Sequence, residues 1–226
     1  MKISSEEDLF SAFINRLEKR LAEPLPGASA WQRLMPRGRV LEISADVVPQ
    51  ESAVLVLFLK IQHSLDLLFI RRSQDGRIHG GQMGFPGGRA EPSDQNLANT
   101  ALREAAEETG IKPSTITLVG KLTPLYIPHS NFRVHPYVGY TMYPQAFRRQ
   151  EQEIDEIVLI PYSRFFSTDC LVYETFVTLR GKVEAPCFKI DDIGIWGATA
   201  MILSELISTA PSIDLNQNEP SVIKFK

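Results

Sequence analysis

The chain has 226 residues and a formal net charge of −3, which is length enough for one well-filled core and gives no general attraction for nucleic acid or an anionic membrane surface. Its hydrophobic (43%) and charged (23%) fractions are those of a globular domain and exclude a disordered or fibrous chain. No apolar run approaches the ~20 residues of a membrane-spanning helix, so a single domain over residues 1–226 is expected, with neither membrane nor nucleic acid as partner.

The first residues carry Glu6, Glu7 and Asp8, where a secretory signal would be basic and then apolar. Without an export signal, Cys170 and Cys187 are read as reduced and the protein as cytoplasmic. Ser4 or Ser5 can cap a first helix. In that helix Leu9, Phe10, Phe13, Ile14, Leu17 and Leu21 recur at helical spacing, and Pro24 and Pro26 end it. Such a stripe serves either the core or a homodimer surface. Residues 24–38 form a connector that Trp31 and Leu34 can tack to the domain.

The apolar run Ala53–Lys60 reads as a buried strand, and Leu65–Arg71 as its hairpin partner. A glycine-rich passage over 80–88 follows, then a helix over roughly 94–109 for which Asp94 is a candidate cap. Further strands are expected over Thr115–Leu122, Phe132–Met142 and Ile157–Ile160. Pro124–Asn131 reads as a shaped loop, and Tyr173–Leu179 pairs with Pro186–Ile190 across Arg180-Gly181-Lys182. A last helix starts at Ile195 and runs to about Ser208. Within the polar tail 211–226, Val222–Phe225 can add a short strand. Strands mixed with three helices suit an α/β fold, an α/β/α sandwich around a mixed sheet.

The chemistry concentrates in Gly87–Ile111, GGRAEPSDQNLANTALREAAEETGI. At about 100° per residue, Glu104, Glu107 and Glu108 share one side of the helix, while Ala98, Ala101, Leu102, Ala105 and Ala106 share the other. Like charges at i,i+4 cost an isolated helix about 0.2–0.5 kcal/mol per pair, and a helix C-terminus disfavours anions further. Arg103 relieves part of this, and a hard divalent cation held by oxygen ligands would relieve the rest. Phe85-Pro86-Gly87-Gly88 makes a corner whose backbone amides can approach a phosphate. Taken alone, three glutamates at this spacing read first as a solvated acidic face. The glycine corner ahead of them favours the metal-binding reading.

A glycine corner, an acidic residue six positions on, and R-E-x-x-E-E-x-G resemble the Nudix box. The family pattern is G, five residues, E, seven residues, then R-E-U-x-E-E-x-G-U, with U a bulky aliphatic. Counted from Gly88, Asp94 stands in place of Glu, eight residues separate it from Arg103, and Ala105 replaces the larger aliphatic. The coenzyme A diphosphatase branch is similar in its Asp and its longer gap. It also resembles this chain in Leu67–Ser73, in His79–Gly88 and in Ile195-Trp196-Gly197-Ala198-Thr199-Ala200. Phe69 and Ile70, where that branch carries a small or polar residue, depart from it.

The resemblance covers residues 50–208 and implies the Nudix fold with Mg²⁺ or Mn²⁺ as cofactor. Glu104, Glu107, Glu108 and Asp94 are the candidate metal ligands. Arg103 is expected to orient a box glutamate. The residue that activates the attacking water stays open between Glu107, Glu108 and the downstream carboxylates Glu153 and Glu156. Candidates for meeting a coenzyme A-like nucleotide are Arg71, Arg72, Arg77, His79, Phe85, Gly87 and Gly88, whereas His129 and His135 read as structural. The implied activity is hydrolysis of the coenzyme A diphosphate to adenosine 3′,5′-bisphosphate and 4′-phosphopantetheine. The alternatives are another nucleoside diphosphate derivative (ADP-ribose, a nucleotide sugar or NADH) and a non-catalytic binding module of the same fold, which should have lost a box glutamate.

Overall fold

The computed structural model describes residues 6–39, 41–44, 46–74, 80–142, 146–178, 181–210 and 221–226, the side chains of 6–8 aside. The element order is α1 (Glu6–Leu21), α2 (Ala28–Trp31), β1 (Gln50–Ile61), β2 (Ser64–Arg72), β3 (Met83–Gly84), β4 (Gly87–Arg89), α3 (Leu97–Thr109), β5 (Thr117–Lys121), β6 (Leu125–Ile127), β7 (Phe132–Thr141), β8 (Ile154–Pro161), β9 (Leu171–Thr178), β10 (Gly181–Ile190), β11 (Ile193–Trp196), α4 (Gly197–Thr209) and β12 (Ile223–Phe225).

The main sheet runs β12-β8-β2-β1-β7-β5, with β3 beside β2, β4 beside β1 and β6 beside β7. It is mixed: β1 and β7 are parallel, and β1 is antiparallel to both β2 and β4. The period-2 alternation of side chains in a strand divides the core into two layers. Ala53, Leu55, Leu57 and Leu59 of β1, Leu68 and Ile70 of β2, and Ile157 and Leu159 of β8 pack with Ala101 and Ala105 of α3. The intervening Val56, Phe58, Leu67, Phe69, Val158 and Ile160 pack with α1 and α4 on the other side. This is the expected α/β/α sandwich, and alanines let α3 lie close against its face. A second antiparallel sheet, β11-β10-β9, flanks the α4 side.

The α1 stripe is core: Phe10, Phe13, Ile14, Leu17 and Leu21 are buried within the chain, so it is not available as a dimer surface, and Leu9 alone of the set is exposed. Trp31 and Leu34 are buried, as a tacked connector requires. Several boundaries differ from expectation. α3 begins at Leu97 with Asn96 as its cap, the Asn96 side chain accepting from the Asn99 amide at 3.0 Å; Asp94 is engaged elsewhere. The residues read as the start of the last helix form β11, and part of the expected loop after Pro124 is β6. Ser4, Ser5 and the residues of the tail from 211 to 220 lie outside the described residues.

Candidate active site

α3 ends where Gly110 adopts a left-handed conformation (φ 75°) and its amide donates to the Ala106 carbonyl, an ending that glycine adopts without the usual Cβ penalty. Its last turns carry the carboxylates past the corner between β3 and β4. Gly87 sits where a Cβ would run into the Ala53 carbonyl and the Val54 backbone, so only glycine lets the corner lie on β1. The Gly87 amide donates to Glu108 Oε2 at 2.8 Å. That donor is therefore spent on a glutamate and does not face a phosphate. Gly88 does a different job: a Cβ there would fall on the Glu104 carboxylate.

Arg103 ties this region together. Its Nε and Nη2 donate to the two oxygens of Asp94, each at 3.0 Å, and Nη2 also reaches the Arg89 carbonyl at 3.1 Å. Nη1 donates to Glu104 at 3.0 Å and to Glu107 at 3.2 Å. Asp94 further accepts from Thr100 Oγ1 and from the Glu91 amide. The Arg103 guanidinium, with these amide and hydroxyl donors, holds the Asp94 carboxyl well below the usual range, and Asp94 in turn raises Arg103. In this arrangement Asp94 faces Arg103 and is the anchor through which Arg103 positions the glutamates.

The three box glutamates sit in distinct surroundings. Glu107 is largely exposed, its side chain 56% accessible. Glu104 is mostly covered, and burial raises its carboxyl against the opposing charge of Arg103. Glu108 is 2% exposed. Burial pushes its carboxyl up to about 7; Arg72 and the Gly87 amide pull it down, while Glu104 and Glu153 push it further up. Glu153 thus lies near enough to be felt by Glu108. It is held there through the strand entrance, where the Ser73 amide donates to the Glu153 carbonyl at 2.8 Å.

The remaining candidates separate by strand face. Arg72 turns toward α3, with Nη1 3.5 Å from Glu108 Oε1 and Nη2 donating to the Gly87 carbonyl at 3.0 Å. Arg71 pairs with Glu156 at 3.0 Å, so Glu156 is neutralised away from the box and the two arginines do not converge on one phosphate. Phe85 is 3% exposed and stacks on Phe69 with ring centroids 4.8 Å apart. It is a packing anchor, and its face is not open to a base. His135 Nε2 lies 2.6 Å from Glu51, and His129 is exposed in the turn after β6. Arg77 and His79 lie outside the described residues.

An all-oxygen donor set one helical turn apart, with two carboxylates raised by burial, has the chemistry to hold a hard divalent ion. Among the described residues no three acidic, histidine or cysteine side chains converge to hold an ion by themselves. An ion here would complete its shell with water and substrate phosphate oxygens, which is the usual habit of Mg²⁺. The residues therefore fit such a cofactor. The corner's amides were expected to approach a phosphate, and the engagement of the Gly87 amide by Glu108 was not foreseen.

A model of the NUDIX domain matches residues 49–174. Over 202 residues the chain is 31% identical to the uncharacterised Nudix hydrolase NudL of Yersinia pestis, covering 87% of this chain and 92% of that protein. NudL of Yersinia pseudotuberculosis matches to the same extent. The solved Nudix hydrolase RenU of M. smegmatis shares the fold, with a TM-score of 0.51 at 14% identity, over 80% of this chain and 97% of its own. No helix among the described residues is long and apolar enough to cross a membrane. With a relative of this identity across most of its length and the glutamates held as described, the chain belongs to the Nudix family of hydrolases, enzymes that cleave the diphosphate linkage of nucleoside diphosphate derivatives.

Proposed function

We propose that the substrate is coenzyme A or one of its derivatives, cleaved at the diphosphate to adenosine 3′,5′-bisphosphate and 4′-phosphopantetheine. The observation that carries this reading is Arg72. It belongs to the Leu67–Ser73 segment that resembles the coenzyme A branch, and its guanidinium joins that segment to Glu108 and to the Gly87 carbonyl. The branch-like segment and the box are thereby one piece of machinery.

Glu104 and Glu108 are the proposed ligands of Mg²⁺ or Mn²⁺, with Glu107 reaching the same ion from its exposed position. The ion, when bound, neutralises the diphosphate and lowers the pKa of water. Arg103, anchored on Asp94, holds Glu104 and Glu107 in place. Glu153, beside Glu108, is the proposed acceptor of the proton from the attacking water. That water's oxygen joins phosphorus as the bridging P–O bond breaks, and each product leaves with one phosphate of the diphosphate, the adenosine product keeping its 3′-phosphate as well. Arg71 is committed to Glu156 and is not assigned to the 3′-phosphate. The cytoplasm is the proposed compartment, in keeping with two buried free cysteines.

The test is turnover of the purified protein with Mg²⁺ or Mn²⁺ on coenzyme A, ADP-ribose, NADH and a nucleotide sugar in parallel. The expected result is the highest kcat/KM on coenzyme A or an acyl derivative. A clear preference for ADP-ribose would overturn the substrate assignment and leave the family chemistry intact.

A further inference from the structure

The second sheet and α4 extend past residue 174, where the family match ends, yet the similarity to NudL runs over 87% of the chain. This region therefore includes structure shared with those relatives beyond the general domain. One face of the second sheet carries Glu174 and Phe176 of β9, Lys189 of β10, and Gly194 and Trp196 of β11. The rings of Phe176 and Trp196 stack with centroids 4.8 Å apart and planes 13° from parallel. Gly194 makes this possible, because a Cβ there would sit 2.9 Å from the Phe176 ring. Both rings are half-buried. The adjacent charges cancel, with Lys189 Nζ 2.8 Å from Glu174.

Trp196 stands where β11 turns into α4. No side chain caps that helix. A Cβ on Gly197 would meet nothing within 4 Å, and one on Gly84 would reach only Thr199 Oγ1 at 4.0 Å. The backbone is therefore uncrowded at Gly197, directly after Trp196, and at Gly84 of β3. Thr199 Oγ1 donates to the Met83 carbonyl at 3.1 Å, which joins the head of α4 to the strand that leads into the Gly87 corner.

We propose that the Trp196 indole, backed by Phe176, is the platform on which the adenine ring of the substrate stacks. The inference rests on the nucleoside diphosphate reading of the site but not on coenzyme A in particular. A flat, electrically balanced aromatic surface suits an uncharged planar heterocycle. A phosphate would find its charge unanswered there, and a flexible pantetheine arm gains less from a rigid plane.

The chain has two tryptophans, and Trp31 is buried, so in a Trp31→Phe background indole emission reports on Trp196 alone. With EDTA present, adenosine 3′,5′-bisphosphate should quench that emission saturably and 4′-phosphopantetheine should not. Trp196→Leu should raise KM for both coenzyme A and ADP-ribose by roughly five- to a hundredfold, the range expected for loss of one base–aromatic stack. The loss should fall on KM more than on kcat, and Trp196→Phe should recover most of it. Absence of quenching, or an unchanged KM in Trp196→Leu, would overturn the platform. If the parent cleaves ADP-ribose and not coenzyme A, the substrate assignment fails and the platform is judged on ADP-ribose. Turnover of coenzyme A with no effect of Trp196→Leu overturns the platform alone.

Discussion

The carboxylate of Glu104 occupies the place that a side chain on Gly88 would take. A backbone corner and a helical side chain thus share one volume, and neither can change without moving the other. Gly88→Ala should therefore displace a proposed metal ligand while leaving both core layers untouched. A misplacement of about 1 Å at a reacting centre can cost on the order of a hundredfold in rate. The expected outcome is a kcat loss of that order with weakened Mn²⁺ binding, read by steady-state kinetics and calorimetric titration, and an unfolding midpoint close to the parent's. Parent-level turnover in Gly88→Ala would place the working carboxylates elsewhere.

Arg103 meets Asp94, Glu104, Glu107 and the Arg89 carbonyl with one planar group. A lysine ammonium is a point donor and cannot span both oxygens of Asp94 while reaching the helix. Arg103→Lys is expected to lower kcat substantially and to destabilise the fold. Asp94→Asn should lose much of the same activity, because it frees the guanidinium from its anchor. A double-mutant cycle by urea unfolding should return a coupling of about 0.5–3 kcal/mol, as for residues in one ion-pair network. Independent, additive effects would show that Asp94 does not position Arg103.

Much of this arrangement was legible in the sequence, and what was not has physical causes. The unbroken apolar runs of β1 and β8 and the alanine back of α3 pointed to a sheet covered on both faces, since a strand buried on both sides carries no alternation. Ile195 and Trp196, the end of β11, read as the start of the last helix because a short apolar run next to a helical one carries no period of its own. Asp94 was read as a possible cap because Asp and Asn cap equally well, and only the three-dimensional position of Arg103 separates it from Asn96. Phe85 beside a glycine corner gives no sign of whether it faces solvent or Phe69. Asp66 and Glu205, both buried, were not singled out, because a lone carboxylate in an apolar segment has no local signature of its partners.

Asp66 yields a pH dependence. It is 1% exposed and accepts from Ser64 Oγ, and burial raises its carboxyl from 3.8 to about 6, with the Ser64 hydroxyl opposing. The folded chain holds this proton more tightly than the unfolded one. Its contribution to stability is therefore complete below about pH 4 and is lost as pH rises through about 6. The whole interval corresponds to about 3 kcal/mol at most. Asp66→Asn, which keeps the shape without the charge, should unfold at higher urea than the parent at pH 8, and the gap should close by pH 4. A gap that does not depend on pH would mean that Asp66 carries no excess proton affinity in the fold.

Glu205 of α4 is fully buried and accepts from three donors: the Gly27 amide at 3.0 Å, the Thr123 amide at 3.2 Å and Thr123 Oγ1 at 2.5 Å. One side chain thus joins α4 to the connector after α1 and to the segment between β5 and β6. Glu205→Leu fills the volume but strands all three donors, and an unsatisfied buried donor costs about 1–3 kcal/mol. Glu205→Gln keeps an acceptor for some of them and should be milder. The expected order in urea unfolding is parent, then Gln, then Leu, with Leu at least about 2 kcal/mol below the parent. Since Glu205 lies on the face of the main sheet opposite α3, the folded fraction of either variant should keep the parent's kcat. A kcat that falls in step with stability even where the protein is fully folded would show that this joint, and not only the carboxylates beside Gly88, governs the geometry of the site.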